Sequence, residues 1–83
     1  MKIEKRAQGH RTTVHLIGHF HLDHLMELRK QVEADVETIL DLKEVTVVDV
    51  DVVRFFVECK EKKMKIVHCP RYVKKWMLRE TKA

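Results

Sequence analysis

The chain has 83 residues, 45% apolar and 36% charged, with a net charge of +4. This length bounds it to a single domain, residues 1–83, and the composition is that of a folded globular chain, neither disordered nor collagen-like. No apolar run reaches the roughly 20 residues that span a bilayer, and Met1-Lys2-Ile3-Glu4-Lys5-Arg6 lacks a signal-peptide core, so the expected location is the cytoplasm with no membrane contact.

Lys2 to Ala7 reads as a weak edge strand that pairs across Gln8-Gly9-His10 with a stronger one, Thr12-Thr13-Val14-His15-Leu16-Ile17, which stops at Gly18. Leu22, Leu25, Leu28, Val32 and Val36, with Met26, recur at three- and four-residue intervals. That spacing predicts an amphipathic helix with Arg29, Lys30 and Glu33 in water. Asp23 lies in its first turn, at the positive end of the helix dipole.

Thr38 to Leu42 is expected to be a short central parallel strand covered on both faces. A short turn then leads into a second apolar run whose start carries two carboxylates, Asp49 and Asp51. The run from Val45 to Cys59 is too long for one strand and splits at Asp49. Val52, Val53, Phe56, Cys59 and Lys63 then fall at helical spacing, with Asp49 as the N-cap.

Met64 to His68 is a further short strand, and Pro70 opens a last helix to Lys82 with Tyr72, Val73, Trp76 and Met77 as its apolar stripe. The expected fold is α/β, a small mixed or parallel sheet with helices packed on it, in the order β-β-α-β-α-β-α. Cys59 and Cys69 have no CxxC spacing and read as free thiols.

Three patterns bear on chemistry. His19-Phe20-His21-Leu22-Asp23-His24 matches the HxHxDH string of metallo-β-lactamase-type hydrolases, in which imidazoles and a carboxylate hold the metal that activates water. Such enzymes draw further ligands from later loops of a much longer chain. The alternative reading is a histidine-ringed surface turn or an incidental metal-binding cluster of His19, His21, Asp23 and His24.

Cys59 or Cys69 beside His68 would be needed for nucleophilic catalysis. Cys59 falls on an apolar helix face and Cys69 has little pocket to serve, so both read as structural. The third pattern is a basic C-terminal third. Lys60, Lys62, Lys63, Lys65, Arg71, Lys74, Lys75, Arg79 and Lys82 face only Glu61 and Glu80 there. With Tyr72 and Trp76 it offers a nucleic-acid-binding alternative, although those two rings share the apolar stripe of their helix.

The order of elements and three motifs resemble the STAS domain, the fold of the anti-sigma factor antagonists. Leu16-Ile17-Gly18 followed by Leu22-Asp23 is similar to the family's opening of the first helix. Leu40-Asp41-Leu42-Lys43-Glu44-Val45-Thr46-Val47-Val48-Asp49 is similar to its central strand and loop, and Lys63-Met64-Lys65-Ile66-Val67 to the strand after the second helix. The resemblance spans nearly the whole chain.

It implies a protein partner, an anti-sigma factor or related regulator, in bacterial signalling, with no cofactor and no catalysis. It also implies a serine after the aspartate at position 49 that a kinase phosphorylates. This chain has Val50 there, which has no hydroxyl, so the phospho-acceptor is absent. Fuller members continue with another strand and helix, so a sheet edge open for pairing, with itself in a homodimer or with another chain, is also expected.

Asp51 carries one charge where a phosphate carries about two, and its position suits a helix start for reasons of capping and dipole alone. The reading reached is a non-catalytic interaction module. Its surface is Asp49, Val50, Asp51 and Arg54 together with the Gly18-to-Asp23 loop: Asp49 caps the helix, Asp51 supplies fixed charge and Arg54 meets a partner carboxylate.

Overall fold

A computed structural model describes residues 1–32 and 37–81. Its elements are β1 (Lys2–Gln8), β2 (Arg11–Phe20), a 3₁₀ turn (Leu22–His24), α1 (Leu25–Gln31), β3 (Glu37–Val48), α2 (Val50–Glu61), β4 (Lys65–Val67) and α3 (Arg71–Thr81). The fold is α/β, with one four-stranded mixed sheet in the order β1-β2-β3-β4. The 3₁₀ turn between β2 and α1 has no counterpart in the order read from the sequence. Glu33 and Val36 of the first expected helix, and Lys82 of the last, lie outside the described residues.

β1 and β2 form an antiparallel hairpin, whereas β2, β3 and β4 run parallel. The hairpin turns in two residues, and Gly9 takes φ 61 at the first of them, a conformation that glycine adopts without steric cost.

Gly18 does not end β2. The strand continues to Phe20, and Gly18, at φ 94, stands beside a register shift against β3. A glycine inside a strand commonly marks such a bulge.

β3 likewise has no turn after Leu42; it is one strand of 12 residues. Between His15/Asp41 and Ile17/Glu44, β3 advances three residues against two on β2, and between Gly18/Val45 and His19/Val47 it advances two against one. Each shift inserts one extra residue into β3. The buried positions therefore change spacing along the strand, from Thr38, Leu40 and Leu42 at intervals of two to Val45 and Val48 at intervals of three. The irregular pattern that suggested a turn is the mark of two bulges.

The core occupies one face of the sheet. Val14, Leu16 and Phe20 of β2 meet Leu40, Leu42, Val45 and Val48 of β3, under Leu28 of α1, Val52, Val53, Phe55, Phe56 and Cys59 of α2, and Val73 and Met77 of α3. Both crossovers step in the same direction between adjacent parallel strands, and crossovers of one hand then place their helices on one side.

Among the described residues no helix covers the second face, contrary to the expectation for a central parallel strand. It carries Thr13, His15 and Ile17 beside Ile39, Asp41 and Val67, all half-buried and none in the core cluster. At its centre the Asp41 carboxylate lies 3.1 Å from His15 Nδ1 and 3.2 Å from His68 Nδ1, while Lys43 N–H donates to it at 3.0 Å.

α2 closes with Lys63 in the left-handed region at φ 66. Lys63 N–H donates to Lys60 O at 3.0 Å and Met64 N–H to Cys59 O at 3.1 Å. This is the two-bond helix ending that usually employs glycine. Pro70 stands just before α3, where its carbonyl accepts from Lys74 N–H at 3.0 Å.

In α3, Val73 and Met77 are buried and Trp76 packs against the core, but Tyr72 is exposed. Its hydroxyl donates to Thr46 O at 2.6 Å. β4 pairs with β3 only over Ile39–Asp41, so Tyr72 satisfies a carbonyl on the stretch of β3 beyond the end of that ladder.

Candidate functional site

At the end of the sheet where β2 and β3 finish, the chain turns into the 3₁₀ turn and into α2, and Asp49 joins the two. Asp49 is extended, at φ −103 and ψ 177, which is the backbone of an N-cap. Its Oδ1 accepts from Val52 N–H at 3.1 Å and its Oδ2 from Leu22 N–H at 2.8 Å. One oxygen thus satisfies a free donor of the first turn of α2, and the other holds a turn 27 residues earlier.

Burial raises the Asp49 carboxyl, but the N–H groups of Val52, Leu22 and Asp51, with the charge on His21, outweigh it and hold the group below the usual carboxylate range.

The surface around this joint is mixed in character. Leu22 and Val47 are large apolar side chains left 55% and 51% exposed, and Met26 beyond them is 74% exposed. Val50 is half-buried at the first position of α2, with Asp51 next to it in the first turn. Among the described residues no cation forms an ion pair with Asp51.

Asp23 is exposed on the 3₁₀ turn, 3.6 Å from His21 Nδ1. Asp23, Asp49, Val50 and Asp51 therefore belong to one end of the molecule. Arg54 is engaged within the chain: its Nε donates to Glu80 Oε1 of α3 at 2.8 Å, and this bond and charge raise its pKa. That pairing is invisible to local sequence patterns, because Arg54 and Glu80 lie 26 residues apart.

The histidines of the turn stack on one another. The His21 and His24 ring centroids are 4.0 Å apart, and His19 meets His21 edge-on at 5.2 Å. His24 Nδ1 accepts from His21 N–H at 3.2 Å, and His24 N–H donates to His21 O at 2.8 Å, so the turn is closed from both sides. Burial, then the neighbouring His21, pushes the His24 imidazole below its usual pKa. Among the described residues no group of three or more His, Cys, Asp or Glu side chains is arranged to hold a metal ion.

Cys59 lies on the buried face of α2, and burial pushes its thiol up to about 11. Burial also raises Cys69. Neither thiol has the lowered pKa of a reactive cysteine, since burial outweighs even the Lys74 and Lys60 charges near Cys69.

No family model, curated protein or solved structure matches the chain. Among the described residues, no helix is long and apolar enough to cross a membrane.

Proposed function

We propose that the chain is a non-catalytic protein-docking module of STAS-like type, contacting its partner through the sheet end that carries Leu22, Val47, Val50 and Asp51. The observation that supports this most is the double bond of Asp49. It fixes an exposed apolar turn and an acidic helix start in one rigid arrangement, so binding there costs little ordering entropy.

The partner chemistry follows from the surface: an apolar contact for Leu22 and Val47, and a cation for Asp51. The grooves elsewhere in the molecule are not lined by these residues, which favours a macromolecular partner over a small substrate. A regulator of the anti-sigma class fits the resemblance, without phosphorylation because Val50 has no hydroxyl. Arg54 is not assigned a partner carboxylate in this account, since Glu80 already takes its guanidinium.

The test is calorimetry of a captured partner against the wild-type chain, Asp51→Arg and Leu22→Glu. Both substitutions are on the surface and should leave the fold intact while weakening binding.

A further inference from the structure

We propose that the groove between β4 and α3 accepts an extended acidic peptide, which adds as a strand to the free edge of β4. The groove has a volume of about 550 Å³, and one wall is the unbroken stretch Met64–Cys69, which contains all of β4. β4 pairs with β3 on one side only. Among the described residues no strand pairs with its other side, so Lys65–Val67 present a strand edge whose outward N–H and C=O groups can form a ladder; Met64 N–H is held by Cys59 O, and His68, at φ 54, ends the edge.

The opposite wall belongs to α3. Met77 and Leu78 give it an apolar surface, and Leu78 is 53% exposed although large and aliphatic. Side chains alternating along an added strand would place every second one against these residues.

Charge selects the peptide. Lys60 of α2, Lys65 of β4 and Lys74 of α3 reach the groove from three elements, and no carboxylate is among its described lining. Lys74 and Lys60 also both act on the Cys69 thiol in the same wall, which places the two cations around one region of the groove. An acidic segment is attracted to this site, and a basic one is repelled.

The other sheet edge differs: β1 is a run of exposed Lys2, Glu4, Lys5 and Arg6, the charged guard that discourages pairing. The site is separate from the Asp49 surface and stands or falls without it.

The probe is an acetylated, amidated heptapeptide alternating Glu and Val, titrated into the isotope-labelled full chain and followed by backbone amide NMR. The expected result is saturable binding with shifts centred on Met64–Cys69. Binding should weaken by about tenfold or more when Lys replaces Glu in the peptide, or when its alternate amides are N-methylated so that they cannot donate.

The N-methylated peptide needs no change in the protein. Lys74→Glu, on an exposed helix position, provides a second check once circular dichroism shows it folded. Absence of binding, shifts centred elsewhere, or equal affinity of the N-methylated peptide overturns the proposal. Saturation of the groove by decanoate with no binding of the peptide also overturns it, because that identifies a site for small amphiphilic anions.

Discussion

Leu22 donates its backbone N–H to the Asp49 carboxylate across 2.8 Å, and so the turn after β2 is fastened to the helix after β3. Replacing Asp49 with Ala removes this bond and the cap to Val52 together. Loss of an N-cap costs about 1 kcal/mol on its own, and the second lost acceptor adds about 1 kcal/mol more. Asp49→Asn should fall between, because an amide has one acceptor oxygen and cannot serve both donors. Urea unfolding of the three proteins checks the order; an Asn variant as stable as wild type would show that only one of the two bonds matters.

Acid should weaken the fold in two stages. Burial and the neighbouring His21 hold His24 below its ordinary value, so its neutral form is favoured by folding. That contribution is present above the unfolded imidazole value of about 6.5 and is lost as pH falls through the lower folded value.

Asp49 and Asp41 follow at lower pH. For Asp41, burial raises the carboxyl, but the Lys43 N–H and the bond and charge of His68, with His15, bring it below the usual range. Carboxylates held low stabilise the fold above the unfolded value of about 3.9, and that stability goes as pH falls through their folded values. Urea midpoints measured from neutral pH downward should fall twice, and His24→Asn should flatten only the first decline.

Lys63 offers a gain in stability. It holds φ 66 at the end of α2, a conformation that costs a lysine energy and a glycine almost none. Relief of the roughly 1–2 kcal/mol left-handed cost, less about 0.5–1 kcal/mol of extra chain entropy lost by glycine, leaves Lys63→Gly a gain of about 0.5–1 kcal/mol, read as a higher urea midpoint with an unchanged slope. An unchanged or lowered midpoint would mean that the Lys63 side chain contributes what its backbone costs.

The two thiols should separate by reactivity. With its pKa near 11, Cys59 is almost wholly protonated at mildly basic pH, and it is only 3% exposed. Iodoacetamide should modify Cys69 in the native protein and reach Cys59 only after unfolding, as mass spectrometry of the timed reaction would show. Equal rates would indicate that α1 opens readily from α2.

Much of the fold was legible in the residues because their spacing carries the physics. The apolar intervals of α2 gave its buried face, and the aspartate before it gave the cap. β3 was misread for a local reason: two bulges change its buried spacing from two to three, and no single-strand pattern announces where a partner strand will force an extra residue. Gly18 was read as a stop for the same reason, since a glycine that ends a strand and one that bends it look alike in sequence.

At the site, Asp49 as a cap was readable from local chemistry, but its bond to Leu22 was not, because it joins residues that only the parallel pairing of β2 and β3 brings together. Arg54 looked free for the same cause: its partner, Glu80, arrives with α3. Leu22 and Met26 belonged by spacing to a buried stripe. Leu22 is exposed on a first turn that is 3₁₀ rather than α, whereas Met26 lies two residues before Leu28 on the same α-helix and so on its opposite side.

Docking through the Leu22–Asp51 end of the sheet, as proposed, makes partner affinity depend on Asp51. A partner captured from the source cell by the wild-type chain is purified and titrated by calorimetry against wild type, Asp51→Arg and, as a control on the far sheet edge, Lys5→Glu. The account predicts a loss of about tenfold or more for Asp51→Arg, which is about 1.4 kcal/mol, and little change for Lys5→Glu. Equal affinity of wild type and Asp51→Arg would contradict it.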